Sequence, residues 1–230
     1  MMIQIESSSA RREIKYVGLF SLLGHVKYWL RSHWCKFEEH YPDRNVRSIY
    51  FDNFSLSTYE NNLTGVSDRF KLRYRWYGES LLPGRGALEV KRRINSLGWK
   101  SVDQISLQKI NSEHYWSQIT AAITAKCSSE ARSILRSLNC PIATIGYKRK
   151  YFISRVGGVR ATVDTDQFYI RQFGQSVYSR KARPLMPAMM TLEFKCANSD
   201  ASLLPEILST VPLRLTKNSK YVNAVNSFLH

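Results

Sequence analysis

The sequence lacks any apolar run near the ~20 residues that would span a bilayer, and its polar opening, residues 1–10, has no signal-peptide core. Those absences argue against a helical membrane protein and a secreted precursor, and the chain is expected to be soluble and cytoplasmic. Cysteine is scarce: Cys35, Cys127, Cys140 and Cys196 are scattered, with no Cys-x-x-Cys and no zinc-ligand spacing. A disulfide scaffold and a zinc module are thereby disfavoured, and free thiols in a reducing cytosol are expected. Internal repeats and low-complexity tracts are missing as well. Acidic residues are in short supply, 18 Asp+Glu against 34 Lys+Arg, which leaves a formal charge of +16. So large an excess repels itself in a compact state and points to a polyanionic partner. Nucleic acid, an acidic membrane surface and phosphate-rich small molecules all satisfy that description.

Hydrophobic residues make up 43% of the 230-residue chain, enough for a folded domain with a sizeable core. Residues 1–10 read as a disordered tail and 11–230 as a single domain. Strands are expected over 11–17, 46–52, 68–77, 87–93, 99–105, 142–154, 159–167 and 189–196, and helices over 19–33, 54–62, 111–136, 131–138, 201–208 and 219–228.

The stretch at 68–77 has the strand period of two. Lys71, Arg73 and Arg75 fall on one face, and Leu72, Tyr74 and Trp76 on the other. The next strand repeats the pattern, with Glu89 and Lys91 opposed to Leu88 and Val90. Further along, Tyr147, Arg149 and Tyr151 share a phase, as do Arg160, Thr162 and Asp164, and again Thr191, Glu193 and Lys195. Any one such strand is ordinarily a solvated charged face. Repetition over at least five strands joined by short turns suggests an antiparallel sheet that curls or closes. An interior lined by Lys71, Arg73, Arg75, Lys91, Arg149 and Arg160 needs compensation, because unpaired buried charges are costly. The carboxylates Glu13, Glu89 and Glu193 supply part of it and a dense anion the rest. Carboxylates among so many cations also suit a hard divalent ion that bridges phosphate oxygens. From pattern alone, an open sheet with a solvated face remains the competing arrangement.

At these residues the chain resembles the VTC-type polyphosphate polymerase domain, a branch of the triphosphate tunnel metalloenzyme (CYTH-like) superfamily. The resemblance is carried by Glu13-Ile-Lys15-Tyr16, by 46–52 (VRSIYFD), by 68–78 (DRFKLRYRWYG) and by Leu88-Glu89-Val90-Lys91-Arg92. Tyr147-Lys148-Arg149, Val159-Arg160 leading to Asp164-Thr165-Asp166, Leu192-Glu193-Phe194-Lys195 and Lys217-Asn218-Ser219-Lys220-Tyr221 continue it in the family's order. It implies an α+β fold, a closed antiparallel β-barrel forming a triphosphate tunnel, with helices packed outside and at one mouth. It also implies transfer of the γ-phosphoryl group of ATP to a growing inorganic polyphosphate chain, with Mn2+ or Mg2+. By that likeness Arg73, Arg75, Lys91, Arg149 and Arg160 clamp the reacting phosphates. Lys15, Lys71, Lys100, Tyr147, Lys217, Ser219 and Lys220 bind phosphate, and Glu193 is the principal metal ligand with Glu89 and Glu13. The family's first strand often carries an earlier glutamate where Arg11 stands, which weakens any two-metal site. The sensing domain and membrane segment of the eukaryotic relatives have no counterpart in the sequence, and a membrane-protein partner that takes the product stays open.

Two other activities compete. A tripolyphosphatase or nucleoside triphosphatase would use the same fold. A nucleic-acid-binding module would use the net charge with Trp34, Trp76 and Trp99 for stacking. Against the latter, the basic residues lie in phase along strands and among carboxylates, so ATP and polyphosphate are the expected partners rather than nucleic acid.

Overall fold

Charged and apolar residues separate onto the two faces of one large antiparallel sheet. The computed structural model describes residues 11–94, 97–108, 110 and 113–229. The expected disordered tail at 1–10 lies outside the described residues. In chain order the elements are β1 (Arg11–Leu19), α1 (Leu23–Ser32), β2 (Phe37–Asp52), α2 (Ser57–Thr64), β3 (Asp68–Tyr77), β4 (Arg85–Ile94) and β5 (Leu97–Ser106). Then follow α3 (Trp116–Thr124), α4 (Ser129–Ser137), β6 (Cys140–Ser154), β7 (Arg160–Arg171), β8 (Ala182–Pro184), β9 (Met189–Ala197), α5 (Leu204–Ser209), β10 (Arg214–Leu215) and α6 (Lys220–Leu229).

The strands join in the order β10-β1-β9-β7-β6-β2-β3-β4-β5, with β8 paired to β7. The closed barrel expected from the resemblance does not form: β10 and β5 are the two ends of this path, and no strand pairing joins them among the described residues. One edge of β1 pairs with β9 along its whole length, and the other pairs with the two-residue β10 only at Tyr16 and Val17. Beyond that short strand the roll meets β4 through side chains, Glu13 to Lys91, and not through backbone pairing.

The open sheet nevertheless curls. Lys91 Nζ on β4 lies 3.0 Å from Glu13 Oε2 on β1, although six strand steps separate them, about 29 Å along a flat sheet at ~4.8 Å per step. Only a sheet rolled back on itself brings those residues together.

Outside the roll, Leu72, Tyr74, Trp76, Leu88, Val90 and Ile105 pack with Trp116, Ile119 and Ile123 of α3 and Ala131 and Leu135 of α4. On the other half, Phe152, Val163, Leu192 and Phe194 pack with Val26 and Leu30 of α1 and Ile207 of α5. The two helical segments expected over 111–136 and 131–138 are α3 and α4, which do not overlap because the Ser128 side chain caps α4 at Ala131 N and restarts the helix; residues 111 and 112 lie outside the described set.

α6 packs on the inner face against Tyr50, Ile145, Tyr147 and Tyr169. Asp52, fully buried, holds it there. Its carboxylate accepts from Thr58 N (3.0 Å), Thr58 Oγ1 (2.6 Å), Tyr59 N (2.9 Å) and Tyr221 Oη (2.6 Å). One side chain thus caps α2 and pins α6. Burial and the Asp52 carboxylate together push the Tyr221 phenol well above its ordinary range. Asp52→Ala should cost about 3 kcal/mol, the scale of several orphaned buried donors, and lower Tm by roughly 6–12 °C for a chain of this size; a thermal melt that moves by less than 2 °C would show the anchor to be dispensable.

Candidate functional site

The inner face of the roll carries three linked clusters. The first is built by β2, β3 and β4. Glu89, 5% exposed, accepts from Arg73 Nε (2.6 Å) and Lys100 Nζ (2.7 Å), with Arg75 Nη1 3.9 Å away. Register explains the match, since Arg73 stands directly opposite Glu89. Arg73 Nη1 also donates to Tyr50 Oη (3.1 Å), while Arg75 donates to Ser48 Oγ (3.2 Å) and Tyr147 Oη (3.1 Å). Burial alone would raise the Glu89 pKa, but Arg73 and Arg75 hold it down to about 2. Guanidinium groups locked this way present their remaining donors in fixed directions.

The second cluster joins β6, β7 and α6. Arg149 makes a two-pronged bond to the fully buried Asp164, Nε–Oδ1 2.6 Å and Nη2–Oδ2 2.8 Å. Lys220 Nζ donates to the same carboxylate at 2.6 Å and lies 4.7 Å from the Tyr147 ring centre. Burial opposes ionisation of Asp164, yet Arg149 and Lys220 drive its pKa well below the usual carboxylate range. A bulge sets this geometry: Gly146 pairs with Phe168 but Lys148 with Thr165, and Asp166 takes a left-handed φ of 51°.

The third cluster sits where β1, β4 and β9 meet. Glu13 contacts Lys15 (2.7 Å), Lys91 (3.0 Å) and Lys195 (3.8 Å). Glu193, 4% exposed, has Lys195 Nζ against Oε1 and Arg149 Nη2 3.9 Å from Oε2. Lys195 thus satisfies Glu193 Oε1, whereas the buried Thr162 Oγ1 that stands opposite Glu193 in register makes no hydrogen bond. An orphaned hydroxyl oxygen facing a buried carboxylate offers oxygen donors of the kind a hard cation takes. The three carboxylates expected as metal ligands do not gather, however. Glu89 is held by Arg73 and Lys100, and no group of three potential metal ligands exists among the described residues.

Lys71 Nζ donates to Ser219 Oγ (3.0 Å) at the start of α6. Burial, then repulsion from Lys15, Lys91 and Arg73, depresses its pKa to about 7. The folded value is below the ordinary 10.5, so between about pH 7 and 10.5 the unfolded chain binds the extra proton, and this group's contribution to stability rises with pH. A bound polyanion restores the charged form. Tripolyphosphate binding at pH 8 should therefore take up close to one proton, with affinity falling up to tenfold per pH unit above about 7. Calorimetry in two buffers of different ionisation enthalpy measures that uptake, and Lys71→Met should abolish it.

Of the residues expected from the resemblance, Lys15, Lys71, Arg73, Arg75, Glu89, Lys91, Lys100, Tyr147, Arg149, Glu193, Ser219, Lys220 and Glu13 are brought into these contacts. Arg160 shares the inner face through its phase with Thr162 and Asp164 but is exposed, opposite Lys195 in register. Lys217 is exposed too, and the side chains of both bond to none of the described residues. Sequence reasoning assigned no role to Asp164, Tyr50, Ser48 or Lys195. Asp164 and Lys195 were visible as phase partners of Arg160 and Glu193; Tyr50 and Ser48 gave no charge signal. The four cysteines are free thiols, and no helix among the described residues is long and apolar enough to cross a membrane.

A search of curated proteins finds no match to this chain. Among solved structures, the PH1819 protein from Pyrococcus horikoshii OT3 aligns over 94% of this chain and 98% of its own at 10% identity, with a TM-score of 0.46. That likeness is too slight to add to the fold already described. Residues 10–229 match the profile of the VTC domain, a family of polyphosphate-related function, and the chain belongs to that family.

Proposed function

We propose that the protein is a polymerase that transfers the γ-phosphoryl group of ATP to a growing inorganic polyphosphate chain lying along the inner face of the curled sheet. One observation carries the reading: cations from β1, β3, β4, β6 and α6, on strands far apart in the sheet order, converge on the inner face around Glu13, Glu89, Asp164 and Glu193. Phosphoryl transfer needs in-line positioning and charge neutralisation rather than a protein nucleophile. Fixed guanidinium groups and lysines of this kind supply both. Arg73, Arg75, Arg149 and Lys91 orient the reacting phosphates. Lys15, Lys71, Lys100 and Lys220 bind the chain, with Arg160 and Lys217 as exposed contacts for its outer units. Ser219, before α6, adds a donor beside the positive end of the helix.

Mn2+ or Mg2+ bound here would neutralise charge on the transferred phosphoryl group. Glu193, with Thr162 and Glu13, would hold it, and Mg2+-type sites commonly need only one or two carboxylates alongside substrate phosphates. Glu89 acts instead to orient Arg73 and Lys100.

Incubation of the purified protein with ATP and Mn2+, followed by sizing on a gel, tests the reading. Long polymer with ADP is the expected result. Orthophosphate alone would replace it with the triphosphatase. For a nucleic-acid module, Trp76 is only 2% exposed and packs in the outer core, so it offers no stacking face. A labelled oligonucleotide that tripolyphosphate fails to displace would count for such a module.

A further inference from the structure

The inner face does not end at its last phosphate-facing cations. Along β3 the phase of Lys71, Arg73 and Arg75 continues to Tyr77, and along β6 the phase of Tyr147 and Arg149 continues to Tyr151. Between them stands Arg44 of β2, directly opposite Arg149 in register. Its guanidinium carbon lies 5.2 Å from the Tyr41 ring centre, 5.7 Å from Tyr77 and 5.8 Å from Tyr151. Tyr41 and Tyr151 meet edge to face at 5.8 Å. Tyr41 and Tyr77 are 48% and 52% exposed, and Arg44 is exposed, so flat π surfaces and a planar cation face solvent together. The Asp43 carboxylate is paired with Lys148 and Lys150, and among the described residues Arg44 has no ion pair.

We propose that Tyr41, Tyr77 and Tyr151 around Arg44 form the nucleobase subsite for the donor nucleoside triphosphate, with a purine ring stacked against the tyrosines and the guanidinium. This rests on the donor reading above and specifies its nucleoside end. Aromatic faces and arginine planes stack any base, purines best by area. Position supports the assignment. Tyr151 is two residues past Arg149, about 7 Å along the strand, a distance a ribose can bridge from a phosphate held by Arg149 to a base beyond it.

The test compares ATP with tripolyphosphate, which has no base, by calorimetry on the full chain. Tyr77→Ala and Tyr151→Ala should each weaken ATP about tenfold or more, the scale of one lost stacking partner, while tripolyphosphate affinity stays within about twofold. Tyr77→Leu keeps apolar bulk and should show the same selective loss, which separates stacking from misfolding. Equal losses for both ligands, or no loss for either, would overturn the subsite while the phosphate hollow stands. A wild-type protein that binds neither ligand would overturn both readings.

Discussion

Arg149→Ala should eliminate polymer synthesis and also cost about 3–5 kcal/mol of stability, the penalty for stranding a buried charge. Arg149 is expected to grip a reacting phosphate, but its two bonds at 2.6 and 2.8 Å go to Asp164, which is fully buried. Lys220 would then be the carboxylate's remaining cation. Urea unfolding and product sizing read the two effects separately. A conservative change distinguishes their origins: Arg149→Lys keeps a cation against Asp164 but loses the two-pronged guanidinium grip, so stability should largely return while turnover does not. Were activity to return along with stability, Arg149 would be a structural residue and the phosphate grip would lie elsewhere.

Glu193→Gln should lower the Mn2+-dependent rate on the order of 10²–10³-fold, the range for losing one preorganised electrostatic contact at a reacting centre. The substitution is nearly isosteric, so packing against the buried surroundings survives. What it removes is the formal charge of a buried carboxylate that faces the orphaned Thr162 Oγ1. Lys15 and Lys195 would be left with less counter-charge, so tripolyphosphate should bind the variant at least as tightly without metal. Thermal melts with tripolyphosphate, with and without Mn2+, give a readout independent of turnover. Undiminished Mn2+ activation in the variant would mean that a different group holds the ion.

Much of this arrangement was legible wherever alternation is unbroken. On β3 the buried Leu72, Tyr74 and Trp76 and the inward Lys71, Arg73 and Arg75 fall as a period of two dictates. The first part of β2 was not legible, because register shifts at Glu39/Tyr41 and Tyr41/Arg44, around Pro42, scramble the alternation. Barrel closure was misread for a different reason. Curvature follows from repeated charged faces that must converge, but whether the last edge pairs is set by long-range register and side-chain spacing at β1, and a two-residue strand leaves almost no trace in sequence. Asp164 was seen in phase, yet its tie to Lys220, 56 residues away, is a tertiary fact that no local pattern encodes.

The seam where β4 comes round to β1 has its own consequence. At Lys91 and Glu13 it is spanned by an ion pair with a half-exposed lysine, a contact worth about 0–1 kcal/mol and weakened by salt. Peptide hydrogen bonds would have riveted that join shut. A side-chain clasp can part at small cost, so a long polyanion held as proposed above should be able to slip in or out sideways, more readily as ionic strength climbs.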